Sequence, residues 1–363
     1  MPRSICFVGH LMLPLLRGTN EPVVGGAEVQ MFHLAQELVH RGWDASFLVC
    51  GLAPTDQGSI DTPLGPAQVL YPRRARKTSA QKLHEKRALY AAVRATGAGL
   101  VFQRAVWDAD VAALAARARR VPYVYSLASD RDAVQLPRWS RRRNVIRWAT
   151  RVVVQSSLQQ DWLRRYGRQS TPIASGFPVP PTPAAAPAEV LWVGTLRALK
   201  RPELFLDLAA AFPAHPFVLC GGPGEDPELA RHIEMRAATL PNVRFEGFVP
   251  YARMAAHYAR ARVLVNTSTY EGFPNTFVLA WLHGAMVVSM GVDPDGWLTR
   301  GGLGAVGRDA GELRRLVGRA LEDPAWATTT GARARAHAVQ QHDIRHVATA
   351  FESVFESAQH TAP

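Results

Sequence analysis

Cysteine is scarce in this chain: Cys6, Cys50 and Cys220 are the three in 363 residues. Each falls in a stretch that reads as a buried strand. An odd number without ligand spacing excludes a disulfide framework and a structural zinc site, and predicts free core thiols in a reducing cytoplasm. Long hydrophobic runs are missing too, with none near the ~20 residues that span a bilayer. The stretch 11–16, interrupted by Pro14, is too short for a secretory h-region, so no targeting segment is expected. No cluster of His, Cys, Asp or Glu has metal-ligand spacing. Lysine is nearly absent, supplying four of 42 basic residues.

Acidic residues are the last deficit, and it is one-sided. Residues 1–180 hold 25 Lys and Arg against 12 Asp and Glu, a net of +13, whereas residues 181–363 hold 17 against 18. The whole excess of the +12 chain therefore lies in its first half. Such a basic half suits an anionic partner, a membrane surface or a lipid phosphate. Nucleic acid is not expected, because no binding motif or Gly/aromatic platform is present.

With 47% hydrophobic and 20% charged residues, the chain has ample core material for two domains. Strands alternate with amphipathic helices from end to end, the pattern of open parallel α/β sheets. In the first half the strands are expected at 4–8, 45–50, 100–103, 123–126 and 152–155, with a helix over 27–41 behind Gly25-Gly26. The proline-rich stretch 178–189 sustains neither helix nor central strand and reads as a linker. Beyond it, strands 190–194, 217–220, 243–246, 263–266 and 286–289 alternate with helices 202–212, 227–238, 251–259 and 275–283. The expected fold is two doubly wound, Rossmann-like domains, 1–177 and 190–343, facing a central cleft at the carboxyl ends of their strands. A final helix within 344–363 is expected to pack back toward the first domain.

The most informative stretch is Ser268-Thr269-Tyr270-Glu271-Gly272-Phe273-Pro274-Asn275-Thr276. A strand ends in a polar turn, Pro274 suits the start of a helix, and Asn275 and Thr276 offer groups at its positive end, where a phosphate is favoured. Glu271, a carboxylate beside an anion site, suits sugar hydroxyls better than the anion itself. An ordinary capped turn is the competing explanation, at even weight. A second stretch, Gly194-Thr195-Leu196-Arg197-Ala198-Leu199-Lys200-Arg201-Pro202, is a basic loop between strand and helix. By itself it reads first as solvated and second as a diphosphate clamp.

Together these stretches resemble the retaining family-4 glycosyltransferases of GT-B fold. That family carries Glu, seven residues, Glu, in a setting like EGFPN…EA…G.PVV, and this chain reads EGFPNTFVLAWLHGAMVVS. The resemblance assigns Glu271 to the donor sugar and places Leu279 where the family has a second glutamate, which accepts hydrogen bonds from the nucleotide ribose. It matches Lys200 to the family's diphosphate lysine and Thr195 to its arginine, leaving Arg197 or Arg201 to take that arginine's place. Gly25-Gly26-Ala27-Glu28, the Gly221-Gly222-Pro223-Gly224 turn and Gly247-Phe248-Val249 match the family's further glycine turns around the donor. Gly272, Phe273 and Pro274 complete the set. His10, ending the first strand, and Asp130 are weaker acceptor-side candidates.

The resemblance implies metal-independent transfer of a sugar from a nucleotide diphosphate to a glycan or lipid-linked acceptor, with retention, in cell-surface polysaccharide or glycoconjugate synthesis. The expected place is the cytoplasm, with a peripheral position at the inner membrane face as a further expectation. A run of six arginines and two tryptophans over 138–151 fits such a surface, or else a helix packed on its own domain. Thr195 and Leu279 keep open a non-catalytic GT-B protein that binds a sugar nucleotide or glycan. An epimerase on the same architecture is a weaker alternative.

Overall fold

The computed structural model describes residues 3–19, 21, 25–74, 76–105, 107–130, 141–182 and 187–361. It divides into two compact units, Met1–Pro178 with Ile344–Pro363, and Val179–Asp343. The terminal helix thus belongs to the first unit and does not stand as a separate appendix.

In the first unit β1 (Ser4–Gly9) is followed by α1 (Leu13–Arg17), α2 (Gly26–His40) and β2 (Asp44–Gly51). Next come β3 (Gly58–Thr62), β4 (Gly65–Pro72), α3 (Ser79–Ala95), β5 (Leu100–Arg104), α4 (Ala109–Arg119) and β6 (Tyr123–Ser126). Then α5 (Arg141–Trp148), β7 (Arg151–Val154), α6 (Ser157–Arg165) and the short β8 (Thr171–Pro172) complete the sheet. Its order is β3-β4-β2-β1-β5-β6-β7-β8, parallel except for the β3–β4 hairpin. The central strands are almost continuously apolar because helices cover both faces: Ile5, Cys6, Phe7 and Val8 are wholly buried. Phe7 stacks on Phe47 and meets the edge of Phe102. The closing helix α13 (Ile344–His360) presses Phe351 and Phe355 onto Phe102. Polar ties hold its outer side, where Trp43 Nε1 and Arg41 Nη1 donate to Glu352 at 2.9 and 2.7 Å.

The second unit runs β9 (Glu189–Val193), α7 (Pro202–Ala211), β10 (Phe217–Cys220), α8 (Pro227–Ala238), β11 (Val243–Gly247) and α9 (Tyr251–Arg260). It continues with β12 (Ala261–Asn266), α10 (Asn275–Leu282), β13 (Met286–Met290), β14 (Gly304–Gly307), α11 (Ala310–Glu322) and α12 (Pro324–His342). All six strands are parallel in the order β11-β10-β9-β12-β13-β14. Side-chain oxygens set the helix starts: Asp226, Asp309 and Asp323 each accept backbone amides of the first turn, and α8 and α12 begin with proline.

Two expectations need correction. The crossovers do not end at β13, since β14, α11 and α12 follow. Gly304-Ala305-Val306-Gly307 is too glycine-rich to read as a strand, and its pairing with β13 supplies what composition does not. The β3–β4 hairpin was likewise outside the expected set, because Gln57 to Thr62 is polar and the strands lie at the sheet edge.

The last helix of the second unit rests against the turn before β13. A Cβ at buried Gly331 would lie 2.0 Å from the carbonyl oxygen of Gly284. Gly331→Ala is therefore expected to cost about 2 kcal/mol by overpacking and to lower the unit's Tm by roughly 4–8 °C. Calorimetric melting of the variant checks this. An unchanged Tm would show that the helix shifts freely.

Candidate functional site

In the second unit the chain leaves β9 toward β10 and β11 on one side, then crosses to β12, β13 and β14 on the other. The connections after β9 and β12 therefore part, and an open α/β sheet binds ligands outside the carboxyl ends at such a point. The two motif stretches lie there: residues 194–201 follow β9, and residues 267–274 follow β12.

They are locked together. Thr269 N donates to Leu199 O at 2.9 Å. Thr267 Oγ1, wholly buried, donates to Lys200 O at 2.6 Å and accepts Trp192 Nε1 at 2.9 Å. A 3-10 turn, Ala198–Lys200, ends at Arg201 with φ 46° and ψ 57°. Left-handed backbone costs a non-glycine residue of order 1–2 kcal/mol, and the 2.7 Å bond from Arg201 Nε to Thr267 O secures it. These ties aim the Lys200 ammonium at Glu271. Lys200 Nζ pairs with Glu271 Oε1, which also accepts Ser268 Oγ at 2.7 Å. Both side chains are mostly buried, 26% and 15% exposed, so the pair is partly screened from water.

The neighbouring turn supports the same loop. Leu196 N donates to Gly222 O, and Gly221 N to Gly247 O. A Cβ at Gly224 would sit 2.3 Å from Leu196 O, and one at Gly222 would sit 3.0 Å from Phe248 Cβ. The glycines let three strand-end loops approach one another. Phe248 is exposed at their rim, with Val249 half-buried beside it. Opposite, α10 begins at Asn275 behind Pro274, with no side-chain cap on its first turn. Gly272 is half-buried, and Phe273 packs on Trp281 and His342. Leu279 stays half-buried while Phe277, Val278, Ala280, Trp281 and Leu282 are in the core. Leu279 thus shares the open side of α10 with Asn275 and Thr276.

The expected phosphate arginines fare differently. Arg197 leans toward Glu225 at 3.4 Å, with both side chains largely exposed. Arg201 has its Nε committed to the Thr267 carbonyl, so it serves first to hold the loop. Thr195 is exposed. Sequence reasoning assigned no role to Trp192, Thr267 or Ser268, which position Lys200 and Glu271. The polar pair Thr267-Ser268 directly after β12 was the available signal.

Family comparison agrees with this geometry. Residues 187–323 match the model "Glycosyl transferases group 1", and residues 24–175 match "Glycosyltransferase Family 4". The chain belongs to the group 1 glycosyltransferases, built on the GT-B fold. Among solved structures, sucrose-phosphate synthase from Thermosynechococcus elongatus is 21% identical over 98% of both chains, TM-score 0.75. HepE of Anabaena, solved with UDP-glucose, is 19% identical over 98% of this chain and 99% of its own, TM-score 0.74. A glycosyltransferase from Rickettsia africae is 12% identical over 98% of both, TM-score 0.73. No curated protein matches the chain in sequence.

In the first unit of this glycosyltransferase, Gly25 precedes α2 and Gly26 opens it. Glu28, in that helix's first turn, is buried, and burial raises its pKa. Asp130 accepts Ser156 Oγ at 3.0 Å and Gln159 Nε2 at 2.9 Å, a buried structural network. His10 lies in a different cluster, stacked on Trp107 at 4.9 Å. Burial, with Lys77 and Arg73 nearby, lowers its pKa to about 4, so the ring is neutral at physiological pH.

The basic run 138–151 is only partly described, since residues 138–140 lie outside the described set. Val145, Ile146 and Ala149 are buried against the first unit's core and Trp148 packs beside them. The apolar side of the described part of α5 is therefore packed on its own domain. Among the described residues, no helix is long and apolar enough to cross a membrane, and no group of three candidate ligands could hold a metal. Burial pushes the thiols of Cys6 to about 11 and of Cys50 and Cys220 to about 12, so all three stay protonated.

Proposed function

We propose that this chain transfers a sugar from a nucleotide diphosphate to an acceptor hydroxyl with retention of configuration, in polysaccharide or glycoconjugate synthesis. The observation that carries the reading is the Lys200–Glu271 pair at the β9/β12 divergence. Sugar transfer needs neutralisation of the departing diphosphate more than a strong nucleophile. Lys200 supplies a cation on a braced loop, Arg197 a second one with long reach, and the uncapped start of α10 supplies amides. Glu271 holds Lys200 in the free protein. When a diphosphate takes over the ammonium, the carboxylate turns to the sugar hydroxyls. UDP-glucose, bound by HepE, is the donor class proposed first.

The first unit holds the acceptor in this reading. Its net +13 over residues 1–180 favours an anionic acceptor and a peripheral place on the inner membrane face, carried by charge and not by an inserted helix. A non-catalytic sugar-nucleotide binder is the second reading, favoured by Thr195 and Leu279.

Calorimetric titration with UDP, GDP and ADP tests the donor site. One nucleotide is expected to bind, with UDP first, and Lys200→Ala to weaken it about ten- to a hundredfold through loss of a charge-assisted bond. Binding that is indifferent to Lys200, or absent for all three, overturns the assignment.

A further inference from the structure

Two buried positions inside the second sheet break its apolar pattern. β12 and β13 are interior strands carrying Val263-Leu264-Val265 and Met286-Val287-Val288, all buried, as strands covered on both faces should be. Asn266 ends the first run and Ser289 follows the second, and the two are register partners across the β12–β13 ladder. Asn266 is 9% exposed and Ser289 not at all. A buried amide or hydroxyl gives up its bonds to water and at best recovers them inside. Packing alone therefore favours two aliphatic side chains here.

The pair instead reaches into the loop that carries Glu271. Ser289 Oγ donates to Asn266 Oδ1 at 3.2 Å, and Asn266 Nδ2 donates to Ser268 Oγ at 3.3 Å. Ser268, itself 2% exposed, donates in turn to Glu271 Oε1 at 2.7 Å. Every donor points the same way, from β13 through β12 to the carboxylate. The far end sets that direction. A carboxylate only accepts, so the Ser268 hydrogen is committed to it and the Ser268 oxygen is left to accept from the Asn266 amide. Bonds in such a chain strengthen one another, and they tie one oxygen of Glu271 to the rigid interior of the sheet. Lys200 has a separate brace through Thr267 and Trp192. The adjacent Thr267 and Ser268 thus hold the two members of the pair independently.

We propose that Asn266 and Ser289 are positioning residues for Glu271, which aim its carboxylate, through Ser268, at the donor sugar. The proposal rests on the reading of Glu271 as the sugar contact. When a diphosphate draws the Lys200 ammonium away, the Ser268 bond is the tie that remains, and the chain behind it sets where the carboxylate points.

The test replaces both polar partners at once, Asn266→Leu with Ser289→Ala. Ser268 keeps its bond to Glu271, so no buried donor or acceptor is orphaned, and removing both members of such a pair is nearly neutral for stability. Tm is expected to hold or rise. UDP and UDP-glucose are titrated calorimetrically into the unmutated protein, this double variant and Glu271→Gln. In the double variant UDP affinity is expected to stay within about twofold, while the ratio of UDP-glucose to UDP affinity falls about three- to tenfold as the bond to a sugar hydroxyl weakens. A ratio that Glu271→Gln lowers and the double variant does not overturns the chain alone. A ratio unmoved in Glu271→Gln, or no binding of either nucleotide, overturns the sugar role of Glu271, and the chain is then judged without ligand. The carboxyl carbon resonance of Glu271, identified by its absence in Glu271→Gln, is expected to shift in the double variant, and an unmoved signal overturns the chain. A lower Tm with both nucleotides weakened alike also overturns it, because Asn266 and Ser289 would then support packing only.

Discussion

Glu271→Gln is expected to lower the rate of sugar transfer by about two to three orders of magnitude while leaving nucleotide affinity intact or improved. The sign of the second effect follows from the pair. In the free protein Glu271 Oε1 engages the Lys200 ammonium and the Ser268 hydroxyl together. A diphosphate must compete with that carboxylate for the lysine, and glutamine competes less because it carries no charge. Transfer suffers for the opposite reason: a neutral amide is a weaker acceptor for the sugar hydroxyls and does not offset positive charge growing at the anomeric carbon. Size and shape are kept, and the Lys200 side chain retains 26% of its surface in water, so the unpaired ammonium is partly solvated. Folding should hold, which a thermal melt confirms. Steady-state rates with a UDP-sugar and calorimetry with UDP give the two numbers. Equal loss of affinity and rate would mean that Glu271 serves only to position Lys200. Lost affinity with no turnover in either protein would favour the non-catalytic binder.

The sequence made the parallel α/β layout legible wherever strands are central, because burial on both faces forces unbroken apolar runs such as those of β1 and β12. Edge elements were not legible. β3 and β14 carry polar or glycine-rich stretches whose strand character comes from a neighbour's hydrogen bonds, a property of the assembled sheet. The same divide holds in the site. Glu271, Lys200 and the glycine turns announced themselves through spacing and charge type. The contact between Lys200 and Glu271 did not, since 71 residues separate them and it takes the β9–β12 pairing and the bonds between the two loops to bring them together. Arg201 shows the limit of reading reach from side-chain length: a guanidinium beside a phosphate loop was free on paper, yet the left-handed turn it caps claims its Nε.

Leu279→Glu is expected to tighten nucleotide binding by up to about two orders of magnitude, two charge-assisted hydrogen bonds being worth ~3 kcal/mol. The resemblance puts a ribose-binding glutamate at this position, and the helix can accept one. Leu279 is half-buried on the side of α10 shared with Asn275 and Thr276, while five neighbours fill the core. A carboxylate there keeps solvent and loses little packing. The backbone is undisturbed, because the Leu279 carbonyl keeps its 2.7 Å partner, His283 Nδ1, whichever side chain stands above it. Nucleotides without ribose hydroxyls separate a true ribose contact from general attraction or repulsion. Affinity should rise for UDP and stay flat for 2′,3′-dideoxy-UDP, whose missing hydroxyls leave the new carboxylate nothing to accept. A parallel rise for both would place the glutamate away from the ribose. A fall for both would mean that it faces the diphosphate, where a second negative charge beside Lys200 repels the ligand.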